Sequence, residues 1–217
     1  MLHSIKRSIA WLATWTLAAV AGCAAPASTS SPDYDAMALS MIKSSFSAQG
    51  QATLDRLEQD PLQHACSSDT PPTAELASRL EARERAAVKP PPDGRYLGDW
   101  REGEKLAQNG RGMTWSDPAE APNGGNCYNC HELSKAEIAY GTLGPSLHNY
   151  GKLRGVQDPS SAAAAPIVQY TWGKLYDAKA YNACSIMPRF GSAHILTAKQ
   201  MQDLMALLLD PQSPVNK

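Results

Sequence analysis

Residues 127–131 read Cys-Tyr-Asn-Cys-His. This is the C-x-x-C-H spacing at which a c-type haem is attached covalently. Two thiols a helical turn apart can each add to one haem vinyl group and form a thioether. The histidine directly after the second cysteine then lies under the iron as its fifth ligand. Two competing chemistries fit less well. A structural zinc site needs a second Cys or His pair at zinc spacing, and the chain has none. A thioredoxin-like motif asks for a βαβ setting and does not require the histidine. The expectation is one covalent haem c, anchored by Cys127 and Cys130, with His131 on the iron.

An electron-transfer haem usually has a sixth ligand, Met or His. Met187 is the best candidate, in Ser185-Ile-Met-Pro-Arg-Phe-Gly191. It lies in a loop between the motif and the last helix. Pro188 forces Met187 into extended geometry, and Gly191 allows a sharp turn. A thioether is neutral and soft, so it favours ferrous iron and raises the potential. His194, His148 and Met113 are the rivals.

The five cysteines sort by position. Cys127 and Cys130 hold haem, Cys23 lies just after an export signal, and Cys66 and Cys184 are left. In an oxidising compartment an even remainder suggests a disulfide. It would staple the segment around Cys66 to the loop that carries Met187. The rival reading makes Cys184 a reactive thiol or an alternative iron ligand.

The elements that must position these residues are helices. Sixteen Pro and fifteen Gly in 217 residues favour loops over sheet. Only two Phe stand against eight Tyr and five Trp, which suits a small core completed by a haem. Residues 1–22 read as an export signal: Lys6 and Arg7, then an apolar run from Ile9 to Val20 too short to span a membrane. Val20-Ala-Gly-Cys23 resembles a lipobox, in which Cys23 becomes the acylated N-terminus; ordinary cleavage nearby is the other outcome. Either fate puts the protein in the periplasm, in the first case anchored to a membrane through Cys23. Residues 23–33 are a flexible tether.

Residues 34–94 form a helical extension and linker. Leu39, Ile42 and Phe46 share a helical face, and a further helix runs about 73–88. The extension is too poor in apolar residues to fold alone and is expected to pack on the haem domain. Lys89-Pro-Pro-Pro-Asp-Gly94 is a stiff linker. Residues 95–217 are the cytochrome domain. A helix spans about 99–109. A final helix follows a Thr197/Gln200 capping box and carries a Met201, Leu204, Met205, Leu208 stripe. The stripe makes Met201 and Met205 core residues and not ligands. The fold expected is all-α, a class I cytochrome c with an N-terminal extension. The near-neutral formal charge of −1 gives no reason to expect nucleic acid as a partner.

Several further stretches are selective in combination. They are Gly125-Asn-Cys-Tyr-Asn-Cys-His131, Gly141-Thr-Leu-Gly-Pro-Ser-Leu147, Tyr150-Gly-Lys-Leu-Arg-Gly155, Met187-Pro-Arg-Phe-Gly191, and Asp210 through Ser-Pro-Val-Asn216. In this order they resemble the SoxX family, the monohaem cytochrome subunit of SoxAX complexes. The resemblance covers roughly residues 95–216. It implies a dihaem SoxA-type partner and a SoxYZ carrier. The complex is an L-cysteine S-thiosulfotransferase, which couples thiosulfate oxidatively to a carrier cysteine. This chain would be its electron-accepting subunit and would pass electrons to a soluble cytochrome c, with the sulfur chemistry on the partner. His131 and Met187 would be the axial ligands. A carbonyl near Pro145 would accept the proximal imidazole N–H. The alternative is a freestanding periplasmic cytochrome c shuttle. A shuttle usually shows a lysine-rich docking face, and Lys and Arg here are scattered.

Overall fold

The computed structural model describes residues 32–217. The export signal (1–22), Cys23 and nearly all of the 23–33 tether lie outside the described residues. The chain divides into two compact units, residues 1–44 and 45–217. The described residues hold seven α-helices joined by loops and 3₁₀ turns, with no strand, so the protein is all-α. No helix among them is long and apolar enough to cross a membrane.

In the first unit, α1 (Tyr34–Ser45) has no buried residue. In the second unit, α2 (Pro61–Ser67) and α3 (Ala74–Ala87) precede the segment that holds the motif. Pro61 opens α2 at a position where its missing N–H is not needed. Asp60 caps that helix in a full capping box with Gln63. Thr73 caps α3 by accepting from the Leu76 N–H.

α4 (Trp100–Gln108) and α7 (Ala198–Leu209) form the largest helix contact. Gly103 makes their crossing close: a Cβ there would lie 2.2 Å from the Asp203 carbonyl oxygen. The Thr197/Gln200 capping box forms at the start of α7 as the spacing predicts. The apolar stripe is only part of the outcome, because every residue from Met201 to Leu209 is buried. Leu207 and Leu209 are covered as fully as Met205.

The polar pair inside that run is satisfied. Gln202 donates to Asp93 and to the Arg95 carbonyl at 2.7 and 2.6 Å. Asp203 accepts from the Asp99 N–H at 2.8 Å and from Lys199. α7 is therefore a central helix, wrapped by α4, α5 (Tyr150–Leu153), α6 (Ala165–Tyr176) and the chain end. Asn216 closes this wrap: its oxygen accepts from the Gly151 and Lys152 N–H groups, and its nitrogen donates to the Leu208 and Asp210 carbonyls. Residues 89–94 run along the second unit, with Pro91 buried and the Lys89 carbonyl accepting from Trp172 Nε1 at 2.8 Å.

Candidate functional site

The motif folds as one tight turn. Cys127–Asn129 is a 3₁₀ turn entered through Asn126 in the left-handed region (φ 51°). The Cys127 carbonyl accepts from the Cys130 and His131 N–H groups at 3.1 and 2.9 Å. That bifurcated pattern winds the segment through one helical turn. Tyr128, one of the two spacer residues, is buried and donates its hydroxyl to Glu104 on α4 at 2.9 Å. Burial first, and then the Glu104 carboxylate, push the Tyr128 phenol upward. It therefore stays a donor and pins the turn to α4.

His131 is held from the other side. Its Nδ1 lies 2.7 Å from the Pro145 carbonyl oxygen. An oxygen of that kind only accepts, so Nδ1 carries the proton and Nε2 keeps its lone pair for a metal. Gly144 lets the ring sit there, since a Cβ at that position would lie 2.1 Å from His131 Cε1. Glu132 accepts from Ser146 at 2.6 Å, and its carbonyl accepts from the Leu147 N–H at 2.7 Å. Residues 144–147 are thus stitched to 130–132, and the imidazole-accepting carbonyl is fixed.

Cys127 and Cys130 are not bridged. As a free thiol Cys127 is pushed up to about 12 by burial. A thiol held protonated makes a poor thiolate nucleophile or redox dithiol. Thioether formation removes the proton from the question altogether.

Met187 is half-buried and packs on the same apolar core as Cys127. Phe190, three residues on, is buried, and its carbonyl accepts from the Ile195 and Leu196 N–H groups. Met201 and Met205 are core residues. Of the rivals, His194 is exposed and its backbone lies in the left-handed region. His148 is half-buried, with Nε2 3.1 Å from Asn149 Nδ2. Met113 sits on a loop whose carbonyl accepts from Arg56 at 2.6 Å.

Cys66 and Cys184 are joined in a disulfide across 118 residues of chain, with Cα atoms 5.4 Å apart. Arg189 pairs with Asp60 at 2.7 Å. Burial works against the charge on Asp60. The Gln63 N–H and the Arg189 guanidinium outweigh it and hold the carboxyl below its ordinary value. Asp60, Glu104 and Tyr128 were not singled out by sequence reasoning. The signal for Asp60 was the Asp-Pro-x-Gln cap at 60–63; nothing local marked Glu104.

Among the described residues no three His, Cys, Asp or Glu side chains converge on one point. A closed tetrahedral zinc site has too few donors here. A haem iron, already carrying four ring nitrogens, asks only for axial ligands. The residues fit that demand: two unbridged thiols, one imidazole with its free nitrogen fixed, and a thioether on the same core. Leu143, next to Gly144, is 73% exposed, and Ile186, next to Met187, is 79% exposed. Apolar surface beside both candidate ligands suits a flat apolar macrocycle.

No family model matches the chain. A comparison with curated proteins finds an uncharacterized lipoprotein of Aquifex aeolicus (strain VF5) at 36% identity over 163 residues, 73% of each chain. The chain belongs to that protein's family. The shared length exceeds the 122 residues from 95 to 216, so the relationship reaches beyond the segment that holds the motifs.

Proposed function

We propose that this protein is an exported monohaem cytochrome c of the class I fold, and that it accepts electrons within a SoxAX-type thiosulfate-oxidising complex. The observation that carries the reading is the Cys127–His131 turn, with His131 Nδ1 committed to the Pro145 carbonyl and Nε2 left for iron. Cys127 and Cys130 would anchor the macrocycle. Met187 would be the sixth ligand. A haem so held supplies one-electron chemistry.

In the coupling reaction a carrier cysteine thiolate and thiosulfate form one S–S bond and release two electrons. The chain's own part is to hold its redox centre fixed while two electrons pass through singly. The Pro145 carbonyl orients the proximal ring and raises its basicity. Met187 packs on the apolar core, which would shield its thioether from water. With Cys66 and Cys184 bridged and the motif cysteines alkylated, no free thiol remains among the described residues to meet sulfur substrates. Sulfur chemistry therefore falls to the dihaem partner.

The relative is named a lipoprotein, and Cys23 here follows Val20-Ala-Gly22. We therefore assign Cys23 as the acylated N-terminus, which holds the domain at a membrane surface on the periplasmic side.

The test is reduction of the purified protein, followed by haem absorbance, on adding thiosulfate, a carrier of the SoxYZ type and a dihaem partner. Reduction only when all three are present supports the complex. Reduction by other cytochromes but never by this system leaves a freestanding shuttle. A preparation without covalent haem removes both.

A further inference from the structure

The segment that carries Met187 is tied on both sides to one short helix. Three residues before it, Cys184 is bridged to Cys66 in the last turn of α2. Two residues after it, Arg189 Nη2 donates to Asp60 Oδ2 at 2.7 Å, and Asp60 is the N-cap of the same helix. The other oxygen of Asp60 accepts from the Gln63 N–H at 2.7 Å. Arg189 therefore meets a carboxylate whose rotamer the helix has already fixed. The pair is mostly covered, with side chains 24% and 30% exposed.

α3 adds a second tier. Glu81 accepts from the Ala183 N–H at 3.0 Å. Arg85 donates twice to the Ala180 carbonyl, at 3.1 and 2.8 Å. Its guanidinium lies 5.3 Å from the Tyr181 ring centre.

These links have a pattern. Among the described residues, the long-range hydrogen bonds, ion pair and disulfide that run from α2, its N-cap and α3 land between residues 180 and 189. The two helices bury little of their own: Leu62 is the buried residue of α2, and α3 has none. The two helices are thus attached through directional links to ten residues and bury little apolar surface of their own. An element that contributed stability alone would be expected to bury apolar surface. One that fixes a loop needs directional anchors at both ends of it. An uncharged thioether must reach iron without help from charge, and holding a ligand to within about 0.5 Å requires a locked support.

We propose that α2, backed by α3, is a two-point brace that fixes the Met187 segment, with Asp60, Arg189 and the Cys66–Cys184 bridge as positioning residues for the sixth ligand. The ligand part of this rests on the proposed haem reading. The bracing of the segment does not.

The experiment compares the full-length protein with Asp60→Asn, Arg189→Gln and the Cys66→Ser/Cys184→Ser pair. Asn caps a helix as well as Asp does, so Asp60→Asn removes the charge that Arg189 meets and keeps the cap. Two readouts are taken after circular dichroism shows the helix content of the parent. The first is amide hydrogen exchange at Ala183, Ser185 and Gly191, expected to quicken about tenfold in Asp60→Asn and more in the cysteine pair. The second is the concentration of added imidazole that abolishes the thioether-to-ferric-iron charge-transfer band, expected to drop by a similar factor.

Unchanged exchange and unchanged imidazole competition overturn the brace. A parent protein without that band overturns the Met187 assignment, and the exchange rates still decide the brace. If the cysteine pair does not accumulate, the exchange measurement is made on the parent with and without a phosphine reductant.

Discussion

The His131 imidazole is set by a backbone group, which makes its neighbours sensitive to single atoms. Gly144→Ala places a methyl 2.1 Å from His131 Cε1. No rotamer of alanine can relieve that contact, so the ring or the 144–147 strip must move. On the proposed haem reading, the expected result is a protein that still attaches haem through Cys127 and Cys130 but shows an altered ligand-field spectrum. Met187→Ala should leave attachment intact, lower the potential and open the sixth position to added imidazole; an unchanged potential and spectrum would exclude Met187 as a ligand. Asp60 offers a pH test at the same scale. Its carboxyl is held below its ordinary value in the folded protein. Its stabilising contribution is therefore complete above the unfolded value, about 3.9, and is lost as pH falls through the lower folded value. The unfolding midpoint of the parent should fall on acidification through that window, and that of Asp60→Asn should fall less steeply.

At the scale of elements, the α4–α7 crossing bears most of the packing, and Gly103 is its narrowest point. Gly103→Ala drives a methyl into the Asp203 carbonyl and to within 3.0 Å of Leu207 Cβ. Overpacking of this kind costs about 1–3 kcal/mol, so calorimetry should show a drop of several degrees in the midpoint. What the sequence disclosed about these elements depended on whether the signal was local. The Thr197/Gln200 cap could be read directly, because capping is decided within four residues, and the helices expected over about 73–88 and 99–109 form over Ala74–Ala87 and Trp100–Gln108. α6 was not expected. It begins at Ala165 with Pro166 just inside, and its Thr171, Trp172 and Gly173 are weak helix formers. Tertiary contacts with α7 and the Tyr150–Thr171 hydrogen bond hold it in place. The stripe on α7 revealed one face only, since full burial depends on what wraps the helix, and that is information from distant residues. At the site the split is similar. C-x-x-C-H and Met187 stand out as candidates by type and position, whereas Glu104, 24 residues before its partner Tyr128, and Asp60, 129 residues before Arg189, are brought in only by the fold.

For the whole molecule the question is where the domain works. Residues 45–217 form one compact unit. The proposed attachment through Cys23 should therefore be separable from the proposed haem binding. An acylated N-terminal cysteine bearing a diacylglyceryl group carries at least two chains, enough for lasting attachment where one chain gives only marginal binding. The full-length protein should therefore partition into the detergent phase on cloud-point extraction and sediment with membranes. Cys23→Ser should appear in the aqueous phase with the same haem spectrum. An intact-mass measurement fixes the meaning of either outcome. A start at Cys23 with added lipid mass supports the anchor. A start beyond Cys23 with an unmodified mass means ordinary cleavage, and the protein then diffuses freely instead of being held at a membrane.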